Sequence, residues 1–354
     1  MSNKVLRIDE KLRGFVKPYI EKISAIEIPD DCLFITCAGF EDRSVEALKH
    51  ISAINKKQLH VIIFDYLPFY KQNRLDEMVR ICKRDDLTFD KIIYDRENPA
   101  EVYDDLNKVL KNKIKKIYID ISGMSRLLII QLLVYCYTGK RSIASISIIY
   151  TEANEYPPAK ELVDAQATEN IEGLSRTAMF ISSGVFDVAI VPELASVVMQ
   201  GQPVRLIMFP SFNWQQLVAL QSVIQPHIFT FIHGVPLLEE NHWRTDAIKK
   251  LNGIEKIPSK EEYYLSTFYY EETLDTLLDI YDKHNKKEKI VIAPTGSKMQ
   301  SVAVGIFRAF MEDIQIVYPT PISFNEPEKY TIGVKQMYKI DLETFNAFNE
   351  NLTT

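Results

Sequence analysis

The sequence predicts an α/β protein of two tandem Rossmann-like three-layer (αβα) domains with mainly parallel sheets. Three observations carry that expectation. The chain has 354 residues, enough for two domains at about 100–200 residues each. Short unbroken runs of Val, Ile, Leu and Phe alternate with helix-period segments, the pattern of parallel strands covered on both faces. Those runs also recur in the same order in the two halves. Composition agrees: 46% hydrophobic and 25% charged residues exclude a disordered or collagen-like chain. A net charge of −6 gives no bulk signal for nucleic-acid or membrane binding, though it leaves room for a local basic patch.

Each repeated element can be read in turn. CLFITCAGFEDRSVEALKHI (32–51) is a buried strand, a polar turn and a helix, and VRLIMFPSFNWQQLVALQSVI (204–224) has the same layout, with Phe40 falling on Phe212. HVIIFDYLP (60–68) matches IFTFIHGVP (228–236), placing Asp65 on His233, and each is followed by a polar helix-period stretch, 71–84 and 239–251. KKIYIDISGMSRLLIIQLL (115–133) matches EKIVIAPTGSKMQSVAVGI (288–306), placing Ser122-Gly123 on Thr295-Gly296. SISIIYTEA (145–153) pairs with IQIVYPTPI near 314–322. An internal duplication follows as an expectation.

The predicted organisation is a helical segment at 1–27, one domain at 28–155, a connecting segment at 156–202 buried between domains, and a second domain at 203–354. The connecting segment opens on Tyr156-Pro157-Pro158, continues as a helix-like AKELVDAQATENIEGL, then turns apolar (AMFISSGVFDVAIVP). No apolar leader stands at Met1–Leu12, and the run Leu127–Tyr137 is too short for the ~20 residues of a spanning helix. Cys32, Cys37, Cys82 and Cys136 show no zinc-type pairing and read as reduced, buried thiols. A cytoplasmic protein is expected.

In an open parallel sheet, ligands bind at the carboxyl ends of the strands, so the loops leaving the repeated strands are the candidate site. DISGMSR and APTGSKM are the sharpest pair: each joins a buried strand to an amphipathic helix through small and hydroxyl residues with one cation nearby. That chemistry suits an anion held by backbone N–H groups, hydroxyls and a Lys or Arg; the alternative is an ordinary helix cap. The candidate ligand-binding residues are Gly39, Arg43, Ser122, Ser125, Arg126, Asn213, Thr295, Gly296, Ser297 and Lys298. If the protein is an enzyme, Asp120, Glu41, Asp65 and His233 are the acid/base candidates, with ion pairing inside the loops as the alternative for the carboxylates. Trp243 could stack a base, or simply pack its helix. GxxxxGK[ST], GxGxxG, HExxH, GxSxG and EF-hand patterns are absent, which argues against an ATPase, a dinucleotide enzyme, zinc hydrolysis, lipase-type chemistry and calcium binding. No metal site is expected, and no cofactor motif is evident beyond compatibility with a bound nucleotide.

Thr295-Gly296-Ser297-Lys298, with Ser122-Gly123-Met124-Ser125-Arg126 and the first-strand loops at Gly39-Phe40 and Ser211-Phe212, resembles the CRISPR-associated Rossmann fold (CARF) ligand-sensor domains. The resemblance implies two loop sets that bind a nucleotide second messenger, usually a cyclic oligonucleotide, across a two-fold axis. A tandem duplication would supply that axis, and the setting would be bacterial stress or antiviral defence. The chain departs from the pattern: the further glycine of the turn is missing from both copies, and no winged-helix or nuclease domain follows.

The function expected is a sensor or regulatory protein binding a nucleotide or other phosphorylated small molecule at the strand-end loops. The alternatives are an enzyme cleaving a phosphodiester or glycosidic bond of a nucleotide or nucleic acid at the same loops, and a scaffold for a partner effector. Nucleic acid stays open as a partner, and no membrane partner is expected.

Overall fold

Six consecutive buried residues, Cys32–Cys37, form a central strand because each face of a covered parallel sheet needs apolar side chains. The computed structural model describes residues 12–13, 17–29, 32–53, 59–110, 116–138, 145–168, 182–324 and 330–342. By contact, the chain falls into a first unit, Gly14–Tyr156 with Pro327–Thr354, and a second, Met1–Arg13 with Pro157–Glu326.

In the first unit the strands are β1 (Glu21–Ile23), β2 (Ile26–Ile28), β3 (Cys32–Cys37), β4 (Ile51–Ala53), β5 (His60–Leu67), β6 (Thr88–Asp95), β7 (Lys116–Asp120) and β8 (Ser145–Glu152). After the nine strands of the second unit, given below, the last strand β18 (Gln336–Asp341) returns to it. Seven of these make one sheet in the order β1-β18-β8-β7-β3-β5-β6. β3, β5, β6, β7 and β8 are parallel, with Phe34 facing Val61 on one side and Tyr118 on the other. One face packs Phe34, Val61, Ile63, Tyr118 and Ile149 against Ala47, Leu48, Met78, Ile81 and Cys82 of the short Glu46–Lys49 and longer Leu75–Arg84 helices. The Arg126–Thr138 helix is buried from Leu127 to Tyr137, as a helix apolar on every side must be.

The second unit contains β9 (Ser182–Ser183), β10 (Asp187–Ala189), β11 (Val204–Met208), β12 (Ile228–Val235), β13 (Lys260–Ser266), β14 (Lys289–Ala293), β15 (Gln315–Ile316), β16 (Tyr318–Thr320) and β17 (Ser323–Phe324). Its main sheet is parallel throughout, in the order β13-β12-β11-β14-β15. Leu206, Met208, Phe229, Phe231, Val291 and Ala293 form its core with Leu217 and Leu220 of the Gln215–Ile224 helix. The order β8-β7-β3-β5-β6 in the first unit and β15-β14-β11-β12-β13 in the second is the same. This is a likeness of topology; descent of one unit from the other is a further claim that strand order does not carry.

Three expected boundaries differ from the structure. The second domain does not run through 354, because β18 lies antiparallel to β8, with Tyr338 opposite Tyr150, and so completes the first unit's sheet. The 1–27 segment is not all helix: Leu12 and Arg13 are helical, but β1 pairs with β18 and β2 with β4; residues 1–11 and 14–16 lie outside the described residues. The 156–202 segment is not a separate connector. Its Lys160–Thr168 helix forms, 169–181 lie outside the described residues, and β10 and β9 pair with β16 and β17. Val188, Val191 and Leu194 are buried, so this stretch is part of the second unit's own fold. Fifth strands, β6 and β13, also follow the helices at 75–84 and 243–251.

All four cysteines are buried, with no disulfide among them. Burial pushes the Cys136 thiol up to about 12, and burial with Asp85 nearby takes Cys82 to about 11. No helix of the described residues is long and apolar enough to cross a membrane.

Candidate functional site

The first unit's loops meet at a glycine pair. A Cβ on Gly39 would lie 3.0 Å from the Gly123 carbonyl oxygen, and one on Gly123 would lie 2.5 Å from the Cys37 carbonyl oxygen and 2.9 Å from Ser44 Cβ. Only glycine lets the loop after β3 and the loop after β7 approach so closely.

Arg43, 3% exposed, sits beneath them. Its Nη2 and Nε donate to Glu41 Oε2 at 2.6 and 2.9 Å, and its Nη1 donates to Tyr150 Oη, the Thr151 carbonyl and Tyr156 Oη at 3.1, 3.1 and 3.3 Å. Both tyrosine rings lie 5.4–5.6 Å from the guanidinium carbon, within cation–π range. Burial opposes the charge, but Glu41 and the two phenols outweigh it and hold the guanidinium protonated. Thr331 Oγ1 donates to the same Glu41 oxygen at 2.9 Å. Asp120, fully buried, accepts from Thr36 Oγ1 (3.1 Å), Ser122 N (3.0 Å) and Ser122 Oγ (2.5 Å), and the Thr151 amide donates to Ser122 Oγ at 2.8 Å. Glu41, Arg43, Asp120 and Ser122 are therefore brought together and spent on ordering the loops. Asp65 stands apart from that network; burial raises its carboxyl above the usual range, and Asn73 Nδ2 reaches it at 3.4 Å.

Ser125 opens the Arg126–Thr138 helix. Its Oγ accepts from Leu128 N at 3.2 Å, and its own N–H donates to Tyr66 Oη at 2.5 Å. Burial pushes the Tyr66 phenol well up, so it stays a neutral acceptor. In the second unit Ser297 opens the Lys298–Phe310 helix with a full capping box: Gln300 N donates to Ser297 Oγ at 3.0 Å, and Ser297 N to Gln300 Oε1 at 2.9 Å. Thr295 Oγ1 donates to the Phe209 carbonyl at 2.5 Å and Ser297 Oγ to the Thr267 carbonyl at 2.6 Å. A Cβ on Gly296 would fall 2.3 Å from Gln300 Oε1 and 2.9 Å from Phe209 Cβ, so a side chain there would have to displace the cap. Asn213 is drawn away from the turn: its Nδ2 donates to Gly184 O and Ser182 Oγ at 3.3 and 3.5 Å. Arg244 lies 5.1 Å from both the Phe212 and Trp243 rings and donates to the Pro157 and Pro158 carbonyls, so its cation and the Trp243 face serve packing within the unit.

No protein-family model and no curated protein sequence matches this chain. What the site can do is argued from its own chemistry.

His233 has the most developed surroundings of the candidates. It is 2% exposed, donates from Nε2 to Glu262 Oε2 at 3.0 Å and stacks on Tyr264 with ring centroids 4.7 Å apart. Lys249 Nζ lies 2.7 Å from the same Glu262 oxygen and 2.9 Å from Tyr264 Oη. Glu262, Tyr264, Lys249 and Gln300 were not among the residues the sequence singled out. The signal was weak, since KEEYYLS (260–266) lacks the apolar run that marked the other strands. Among the described residues no three His, Cys, Asp or Glu side chains gather as a metal site.

Burial lowers the pKa of His233 against the pull of Glu262, and burial with Arg205 lowers that of His284. The unfolded chain then takes up these protons first, near the ordinary value of about 6.5. Stability is full above that pH and is lost as pH falls below it, at no more than about 1.4 kcal/mol per pH unit per histidine. The urea midpoint of the wild type should be flat from pH 8 to 7 and drop between 6.5 and 5, with a smaller drop in His233→Gln. A midpoint that holds level down to pH 5 refutes this.

Proposed function

We propose that the protein is a ligand-binding sensor or regulatory protein that takes a nucleotide or another phosphorylated small molecule at its strand-end loops. One observation carries the reading. After the equivalent strands β7 and β14, each unit places a serine N-cap, Ser125 or Ser297, followed at once by a cation, Arg126 or Lys298, on the first residue of a 13-residue helix. Cap, helix dipole and cation together favour an oxyanion. The same ligand class is what the resemblance to CARF domains implies.

Binding is preferred over catalysis because the carboxylates best placed for acid/base work are already committed. Glu41 is held by Arg43 and Thr331, and Asp120 by Thr36 and Ser122. A general base needs a free lone pair within reach of substrate.

A thermal-shift series with ATP, AMP, cyclic oligoadenylates and inorganic phosphate tests the reading. A ligand at 100 times its Kd adds about 2.7 kcal/mol to folded-state stability, and the shift should vanish in the Arg126→Ala/Lys298→Ala double variant. The cap serines are left untouched, so the variant keeps its helices. No shift with any ligand, or an undiminished shift in the double variant, counts against the proposal.

A further inference from the structure

Asp65, near the carboxyl end of β5, is 7% exposed, yet among the described residues no cation comes within ion-pair distance of it. Asn73 Nδ2 reaches its Oδ1 only at 3.4 Å, and Asn73 Oδ1 is itself buried with no hydrogen-bond partner. A carboxylate and an amide oxygen, both acceptors, thus stand side by side without donors to answer them. Groups left in this way destabilise a fold, and a ligand with matching donors removes the penalty. The counterpart His233 in the second unit already has Glu262 as its partner.

The surroundings of Asp65 lie on one side of the sheet. Its side chain shares the face of Val61 and Ile63, which pack with Met78 of the Leu75–Arg84 helix. The turn leading into that helix folds back on the loop after β3: Arg74 N donates to the Gly39 carbonyl at 3.1 Å, and Asn73 N to the Tyr70 carbonyl at 3.0 Å. Phe40 meets Tyr70 edge-on, with ring centroids 6.4 Å apart. Phe69, in the same turn, is 61% exposed and has no ring partner among the described residues.

We propose that this cluster is a guanine-reading subsite: the Asp65 carboxylate accepts from N1–H and the 2-amino group of the base, Asn73 Oδ1 accepts the second amino hydrogen, and Phe69 stacks on the ring. The inference takes from the reading above only that the ligand is a nucleotide, and names its base. Guanine alone among the common bases sets two N–H donors side by side. Adenine and cytosine would turn a ring-nitrogen lone pair toward the carboxylate, and uracil a carbonyl. Exposed aromatic rings stack on any base, so the selectivity rests with the acceptors. Burial raises the Asp65 carboxyl above its usual range, and two N–H donors facing the charged form counter that.

Titration calorimetry on the full chain with GMP, inosine monophosphate, AMP, guanosine and inorganic phosphate tests this. GMP should bind at least tenfold more tightly than AMP, as a good bidentate pair allows. Inosine monophosphate, which lacks the 2-amino group, should fall between them. Asp65→Asn is isosteric and should weaken GMP and guanosine at least tenfold while leaving AMP and inorganic phosphate unchanged. It should also bind xanthosine monophosphate better than the wild type does, because the 2-oxo group accepts from the new amide; a merely structural role for Asp65 gives no such gain. Phe69→Ala should weaken GMP about tenfold. If GMP and AMP bind the wild type equally, or Asp65→Asn keeps the preference for GMP, this inference falls while phosphate binding stands. If guanosine binds as tightly as GMP and inorganic phosphate does not bind, the phosphate reading falls and this one stands. If no probe binds, both fall.

Discussion

Arg43→Met should lower the stability of the first unit by roughly 3–5 kcal/mol, the usual cost of breaking a buried ion pair and leaving one charge behind. The reason lies in Glu41. It is 5% exposed, and losing the guanidinium removes both charge-assisted hydrogen bonds that its Oε2 accepts from Arg43, leaving a buried carboxylate without its counter-charge. Tyr150 and Tyr156 lose their cation at the same time. Since whole domains are stable by about 5–15 kcal/mol, the loss should be plain as a lower urea midpoint. Adding Glu41→Gln removes the stranded charge and should recover most of the loss. A single variant that costs less than about 1 kcal/mol, or a double variant no better than the single, would show that the pair does not anchor these loops.

Arg205→Met is the matching case in the second unit, with a loss of the same size, roughly 3–5 kcal/mol. Arg205 stands near the amino end of β11, away from the candidate loops, and is 1% exposed. Its guanidinium joins four groups: Glu288 at 2.5 Å, Thr230 at 2.6 Å, Glu261 at 3.0 Å and His284 Nδ1 at 3.2 Å. Methionine fills similar volume but leaves two carboxylates facing each other. Their mutual repulsion then adds to the desolvation cost. Glu288→Gln in the Arg205→Met background should restore part of the loss. Ligand shifts assigned to Lys298 should survive in any fraction that folds, which separates this change from one at the site. An unchanged midpoint in Arg205→Met would refute the role given to this network.

These two residues also mark what the sequence could and could not disclose. The strands β3, β5, β7, β8, β11, β12 and β14 were legible because each is dominated by a buried run of Val, Ile, Leu, Phe and Tyr. β6 and β13 were not. As edge strands they leave one side to water, so TFDKIIYD keeps Ile93 exposed and KEEYYLS carries two glutamates. β18 was invisible for another reason: its partner β8 lies far back in the chain, and no local pattern encodes a distant pairing. The site divides in the same way. Ser125 and Ser297 as caps could be read from residues three positions apart, whereas the role of Arg43 depended on Tyr150, Tyr156 and Thr331. His233 was visible as a strand-end histidine, but Glu262 was hidden with the strand that carries it.

The late arrival of β18 has a consequence for synthesis. Residues 336–341 leave the ribosome only after the whole of 157–326, so the first unit begins its sheet and must wait for its β18 strand until the second unit has been made. Long-range closure of this kind raises contact order and slows folding, and an unfinished sheet keeps β8 as an open edge meanwhile. The chain departs and returns side by side, Glu155 and Ile332 exchanging backbone hydrogen bonds at 3.1 Å. Residues 157–326 are thus inserted between two segments of the first unit that already pair with each other at Glu155 and Ile332. Replacing 157–326 with a few flexible residues should leave a first unit that folds faster than it does in the intact chain.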